Sequence, residues 1–285
     1  MPSIVPRTHP DARKTVAQKL DAPFLALPEG YVPVPAFRTL TWHDLTVALR
    51  AGVADFRAAP LYGLAFGAVY VVLGFGGLAL ALALNWDYLI FPALSGFLLF
   101  GPFAALGLYQ ISRCRMRGQA FRPMDIFLGA VRGGGLQMAL FGFFLMFATI
   151  VWLKAATLIY ALFFGLTPMP LSHLLEAVFT TAHGLRFAAT GILAGAACAS
   201  AVFATSVLAV PLLLDRDVDV VTAIVASIQA VRANGAVMLA WGLLVAVLIG
   251  GSVTLGLLGL LVTLPVVGHA TWHLYIRALP PAAEA

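Results

Sequence analysis

The sequence predicts an all-α integral membrane protein, and three observations carry that prediction. Of 285 residues, 61% are hydrophobic and only 10% charged, with a mean hydropathy of +0.97. A soluble domain of this size carries about a quarter charged residues, so this surface has too little charge to face water. Runs 62–84, 88–111, 134–153 and 188–214 are free of charge, and each is long enough to cross a hydrocarbon core of about 30 Å. None alternates like a barrel strand.

Taken in order, residues 1–40 hold Pro2, Pro6, Pro10, Pro23, Pro28, Pro33 and Pro35 among scattered charges. No apolar core precedes Leu61, so this segment reads as a disordered cytoplasmic tail and not as a cleavable signal. A membrane domain is expected over 41–279, with spans at about 62–84, 88–111, 134–160, 188–214, 235–251 and 255–275, and a short tail at 280–285. The last two spans come from Asn234–Tyr275, which is too long for one helix and breaks at Gly250-Gly251 through Gly256. Six spans place 15 of the 17 basic residues on one side, leaving only Lys154 and Arg186 on the other. By the positive-inside rule this puts both termini in the cytoplasm. Cys114 would face a reducing compartment and Cys198 sits in an apolar helix, so no disulfide is expected.

Three segments share one plan: Arg57-AAPLYGLAF-Gly67, Arg132-GGGLQMALF-Gly142 and Arg232-ANGAVMLAW-Gly242. Each sets a glycine ten residues after an arginine, with an aromatic before it. An acid opens a stretch upstream of each: Asp44-LTVALRAGVADF, Asp125-IFLGAV and Asp219-VVTAIVASIQAV. In the first, Leu45, Ala48, Leu49, Val53 and Phe56 share a helix face, with Arg50 and Arg57 off it. Pro102, Pro211 and Pro265 recur in the partner spans. The expected fold is therefore six transmembrane helices in three repeated units, each an amphipathic interfacial helix plus a helical hairpin. Arg57, Arg132 and Arg232 fall at headgroup level, where anionic lipids attract them.

The run Arg38-TLTWHDLTVALRAGVADFRAAPLYGLAFGAVY-Tyr70 resembles the opening of a family of proteobacterial integral membrane proteins of unknown function. Gly101-PFAALGLYQISR-Arg113 and Gly259-LLVTLPVVGHATWHLYIR-Arg277 resemble the same family. The resemblance spans about residues 36–279. It implies six spans and brings no activity with it.

Candidate sites are few. His269 and His273 lie four apart in HATWH, a spacing that can hold a metal or haem iron, with His43 at the same expected depth. No acidic third ligand adjoins them and no HExxH pattern is present, so an interfacial belt with Trp272 and Tyr275, or hydrogen bonding between helices, is the competing reading. Lys154 lies within an apolar run, either snorkelling to the outer interface or buried as an intramembrane charge. In the external segment Thr167–Arg186, the run LSHLLEAVFTTAHGLRF reads as one helix with His173, Glu176, Thr180 and His183 on one face. That face could bind a metal or form the polar side of a membrane-surface helix. Gly74 on the first span and Gly191 and Gly195 on the fourth stand at spacings that suit close helix packing.

No P-loop, dinucleotide glycine pattern, serine elbow or CxxC is present. The basic excess is spread along membrane edges and does not point to nucleic acid. The sequence favours a non-catalytic accessory, assembly or scaffolding component that needs no cofactor and packs against lipid and other membrane proteins. A transporter or channel for a small apolar or amphipathic substrate is the alternative, and a membrane enzyme or haem/metal protein using the HATWH histidines the second. Its oligomeric state is not legible.

Overall fold

The computed structural model describes residues 37–279 apart from 85, 125, 127–134 and 168, and only the backbone of 87 and 104. The proline-rich stretch to residue 36, Asp125, Arg132 and 280–285 lie outside the described residues. Every regular element described is helical. Helix α1 (Trp42–Ala58) meets α2 (Pro60–Ala83) at Ala59. After a 3-10 turn at Asp87–Leu89, the second apolar run comes in three pieces: α3 (Ile90–Leu99), α4 (Gly101–Ala104) and α5 (Leu106–Met116). Then follow α6 (Gly135–Phe164), α7 (Leu171–Thr180), α8 (Ala182–Ser206), α9 (Ala209–Asp215), α10 (Val220–Ala233), α11 (Gly235–Thr254) and α12 (Leu260–Ala278).

Among the described residues, five stretches are long and apolar enough to cross a membrane: Pro60–Ala83, Ile90–Met116, Gly135–Phe164, Ala182–Asp215 and Gly235–Thr254. The expected sixth, α12, is of another kind. Twelve of its 19 residues are buried, and α1, α2 and α5 pack around it. It carries His269, Thr271, His273 and Arg277, which a lipid-facing helix would not tolerate at depth. The expected interfacial belt of Trp272 and Tyr275 is corrected here: both rings are buried inside the protein.

The capping box that starts α1 is local chemistry. Thr41 accepts from the Asp44 backbone N–H, and the Asp44 carboxylate accepts from the Thr41 N–H at 2.8 Å, satisfying two donors that a helix start leaves free. The α8–α9 break has a similar cause. Pro211 has no N–H to give to the turn before it. The opened pair of Ala204 carbonyl and Leu208 N–H is bridged by Ser227 of α10, which donates to the first at 2.7 Å and accepts from the second at 3.3 Å.

Helix α1 runs antiparallel along α12. Asp44 meets Arg277, Gly52 lies against Ala270, and beyond the bend Gly63 meets Pro265 and Gly67 meets Leu261. The innermost line of α1 is Asp44, Ala48, Gly52 and Asp55. That is one position round from the expected apolar face, whose larger side chains Leu45, Leu49, Val53 and Phe56 are only half-buried. The approach to α12 is so close that only small residues fit at its centre.

The turn between α11 and α12 ends at the level of Gly74, where Leu257 packs on that glycine. Nine further residues of α2, Phe75–Ala83, extend past it, about 13 Å of helix. An apolar groove of about 90 Å³ lies between α2 and α3, lined by Gly77 and Ala81 from one and Ala93 and Phe97 from the other.

Candidate functional site

The buried polar chemistry collects where α1, α5 and α12 meet. Ser112 of α5 donates to Asp55 Oδ2 at 2.6 Å, and His273 Nε2 lies 2.8 Å from the same oxygen. Arg115 Nε donates to Asp55 Oδ1 at 2.8 Å. His269 Nδ1 lies 2.8 Å from Ser112 Oγ. A hydroxyl has one hydrogen, and here it goes to the carboxylate, so His269 donates its Nδ1–H to the serine oxygen. This tautomer leaves Nε2 of His269 as an enclosed acceptor without a hydrogen-bond partner among the described residues. Ser112 and His269 are fully buried, and Asp55 is nearly so.

Two further acids do the same work nearby. Asp215, at the end of α9, pairs with Arg113 and Arg117 at 3.4 Å each and accepts from the Tyr275 hydroxyl at 2.9 Å. Asp44 pairs with Arg277 at 2.6 Å and Arg38 at 2.8 Å. Arg38 also donates its backbone N–H to the Ala278 carbonyl at 2.9 Å. Asn234, between α10 and α11, accepts from the Leu40 N–H at 2.6 Å. Three carboxylates thus clasp α1, α5, α9 and α12 together at the basic end of the bundle.

Burial acts to raise the pKa of Asp55, yet hydrogen bonds from His273, Ser112 and Arg115 and the His273 charge hold it well below the usual carboxylate range. Burial likewise opposes Asp44, but the Thr41 cap, the Arg277 hydrogen bond and the Arg38 charge lower it to about 2. A carboxylate whose folded pKa is depressed contributes stability that is fully present above its unfolded value, near 3.9, and lost as pH falls through the folded value. The unfolding midpoint in detergent should therefore fall steeply between pH 4 and about 2, and Asp44→Asn should flatten part of that fall. A midpoint unchanged between pH 5 and 2.5 would contradict this account.

The sequence-expected residues fare unevenly. His269 and His273 enter the cluster, but His43 is exposed and lies twelve residues before Asp55 on α1, about 18 Å along the axis. Among the described residues no group of three or more His, Cys, Asp or Glu could hold a metal ion. The external metal face is corrected too. Thr181 caps a new helix, its hydroxyl accepting from Gly184 N–H at 2.9 Å, so His183 sits on α8 while His173 and Glu176 sit on α7. His183 instead contacts the Phe163 carbonyl at 2.8 Å, between the rings of Phe163 and Phe164. Lys154 is exposed on α6, with ten residues of that helix still to follow. Arg57 and Arg232 are exposed in the last turns of α1 and α10.

The packing glycines are also redistributed. Gly191 faces open space, Gly195 meets the Trp152 ring, and Gly74 meets the Leu257 side chain. Close approaches to backbone are made by Gly52 of α1 and Gly67 of α2 against α12, by Gly184 of α8 against α7, and by Gly259 against Ser252. Asp55, Ser112 and Gly52 were not singled out from the sequence. Asp55 had one detectable signal: an acid on the same helix line as Ala48 and Gly52, where a solvent-facing charge has no place.

A family of predicted integral membrane proteins, DUF2189, matches residues 90–215. The match covers α3 to α9 and leaves out α1, α2 and the HATWH helix. Neither the curated proteins nor the solved structures contain a match. The chain is an integral membrane protein with several apolar helices.

Proposed function

We propose that the chain is a non-catalytic, multi-pass component of a bacterial inner membrane, which packs against other membrane proteins as an accessory, assembly or scaffolding part. On this reading six helices cross the bilayer, α12 being a protein-sheathed sixth, and both termini are cytoplasmic. The layout of α1–α2 and α10–α11, each a short helix ending in an exposed arginine and bending directly into an apolar helix, supports the repeated-unit description.

One observation carries the functional reading: where the polar groups go. The buried charges sit at one end and are paired with one another. Along the apolar helices, Ser252 and Thr263 bond to each other at 2.7 Å, and Thr149, Thr157 and Thr205 bond to carbonyls of their own helices. Such hydroxyls form no chain along which an ion or polar solute could pass. The α2–α3 groove favours the carrier alternative, but its lining is apolar throughout and offers a polar solute no partner. An enzyme using HATWH would need substrate at Ser112 or His269, and both are enclosed.

The outer surfaces of the apolar helices stay open for partners, as with Leu193 at 72% and Leu239 at 64% exposure. A photo-crosslinking residue at each of these positions, in native membranes at native expression, should give at least one discrete protein–protein adduct. Reconstituted protein should leave ion gradients intact. Lipid adducts alone at every lipid-facing position tried, or a dissipated gradient, would overturn the proposal.

A further inference from the structure

We infer that the outer face of α1 is a binding surface for anionic phospholipid headgroups. Helix α1 has two opposed lines. The inner line, Asp44, Ala48, Gly52 and Asp55, is fixed against α12. The outer line carries His43, Arg50 and Arg57, all exposed, at seven-residue steps of about 10 Å each. These positions recur on one helix face because seven residues make nearly two turns.

Among the described residues Arg50 and Arg57 meet no acid. Both carboxylates of α1 are on the inner line and are occupied by arginines from elsewhere, Asp44 by Arg38 and Arg277 and Asp55 by Arg115. Because Gly52 is locked on Ala270, the helix is held from rolling to offer Arg50 and Arg57 an acid. The ends of the stripe are apolar and exposed: Trp42 at 60% before it and Leu61 at 77% after it. Leu61 stands one turn beyond Arg57, at the start of the apolar α2. Arginines flanked by an exposed tryptophan and an exposed leucine suit the anionic side of a bilayer surface, with acyl chains continuing past Leu61. The partner is thus a phospholipid carrying net negative charge. Its phosphate meets guanidinium groups that can bind it bidentately, and Coulomb attraction separates it from zwitterionic lipid.

This surface is independent of whether the protein has protein partners. The test uses the full chain in nanodiscs holding equal amounts of phosphatidylglycerol and phosphatidylcholine, with the lipids retained on release measured by native mass spectrometry. The wild type should retain phosphatidylglycerol preferentially, and raised salt during equilibration should reduce the preference. Each of Arg50→Gln and Arg57→Gln should lower the preference about fivefold, the factor that corresponds to an arginine at a charged bilayer surface. Arg186→Gln, outside this stripe, should leave it unchanged. Should either glutamine variant fail to fold, the other and Arg50→Lys with Arg57→Lys decide, since the lysine pair keeps the charge and should keep the preference. No preference in the wild type, a preference that survives both single glutamine variants, or one lost in the lysine pair would each overturn the assignment.

Discussion

Asp55→Ala should destabilise the folded protein by about 3–5 kcal/mol, the range expected when one partner of a buried charge cluster is removed. The carboxylate takes three donors, from Ser112, His273 and Arg115. Its loss leaves the fully buried Ser112 hydroxyl and the largely buried His273 ring to find other acceptors in a packed junction. Arg115 contributes less than the geometry suggests, because its side chain is 35% exposed and can turn to water. Ser112→Ala should cost less, about 1–2 kcal/mol, as it removes one hydrogen-bonding hydroxyl and no charge. Asp217→Ala, at an exposed position, should stay within about 0.5 kcal/mol. The measurement is equilibrium unfolding in mild detergent followed by tryptophan fluorescence, where Trp272 lies beside the cluster. A cost for Asp55→Ala no larger than for Asp217→Ala would mean that the cluster is not part of what holds α1, α5 and α12 together.

How much of this was legible in the sequence differs by layer. The expected apolar runs overlap the five described stretches that are long and apolar enough to cross a membrane, the fifth run ending at 251 where the helix continues to Thr254, because charge-free length is a one-dimensional property. The break at Asn234 was legible from the same runs, with short helix, arginine and apolar helix in fixed order. What was not legible is pairing. Asp55 and Ser112 are 57 positions apart and Ser112 and His269 157. No periodicity states that α5 and α12 will cross at that level. The i, i+4 spacing of the HATWH histidines is compatible with a metal site, an interfacial belt and hydrogen bonding between helices alike. Their actual partners are a carboxylate and a hydroxyl supplied by other helices. The error over His183 is local: Thr181 is an ordinary helix residue by composition, and only its extended backbone and hydroxyl cap reveal the break. The glycines of the fourth span followed a real packing pattern, but a spacing rule says which residues share a face and nothing about what that face meets.

Gly52 is where that distinction has its largest consequence. A Cβ placed on Gly52 would lie 2.6 Å from the Ala270 backbone nitrogen, 2.7 Å from its Cβ and 2.8 Å from its Cα. Two of these three atoms are backbone, so no rotamer change relieves the clash and the helices must part. Gly52→Ala should therefore cost about 3 kcal/mol, the upper part of the range for overpacking a core, and Gly52→Leu should prevent the protein from accumulating. Parting α1 from α12 also stretches the Asp44–Arg277 and Asp55–His273 contacts on either side of the glycine, so the loss spreads into the ionic clasp. Ala270→Gly should recover part of the Gly52→Ala cost and not all of it, because only one of the three clashing atoms is deleted; a double-mutant cycle would measure that coupling. Gly195→Leu should be milder, since it presses on the Trp152 ring at 3.1 Å, a side chain that can move. Gly76→Ala, facing open space, should be neutral or stabilising by up to about 1 kcal/mol through helix propensity. If Gly195→Leu proved costlier than Gly52→Leu, the tight seam would belong to the fourth apolar helix, and α1 would not be fastened to α12 as described.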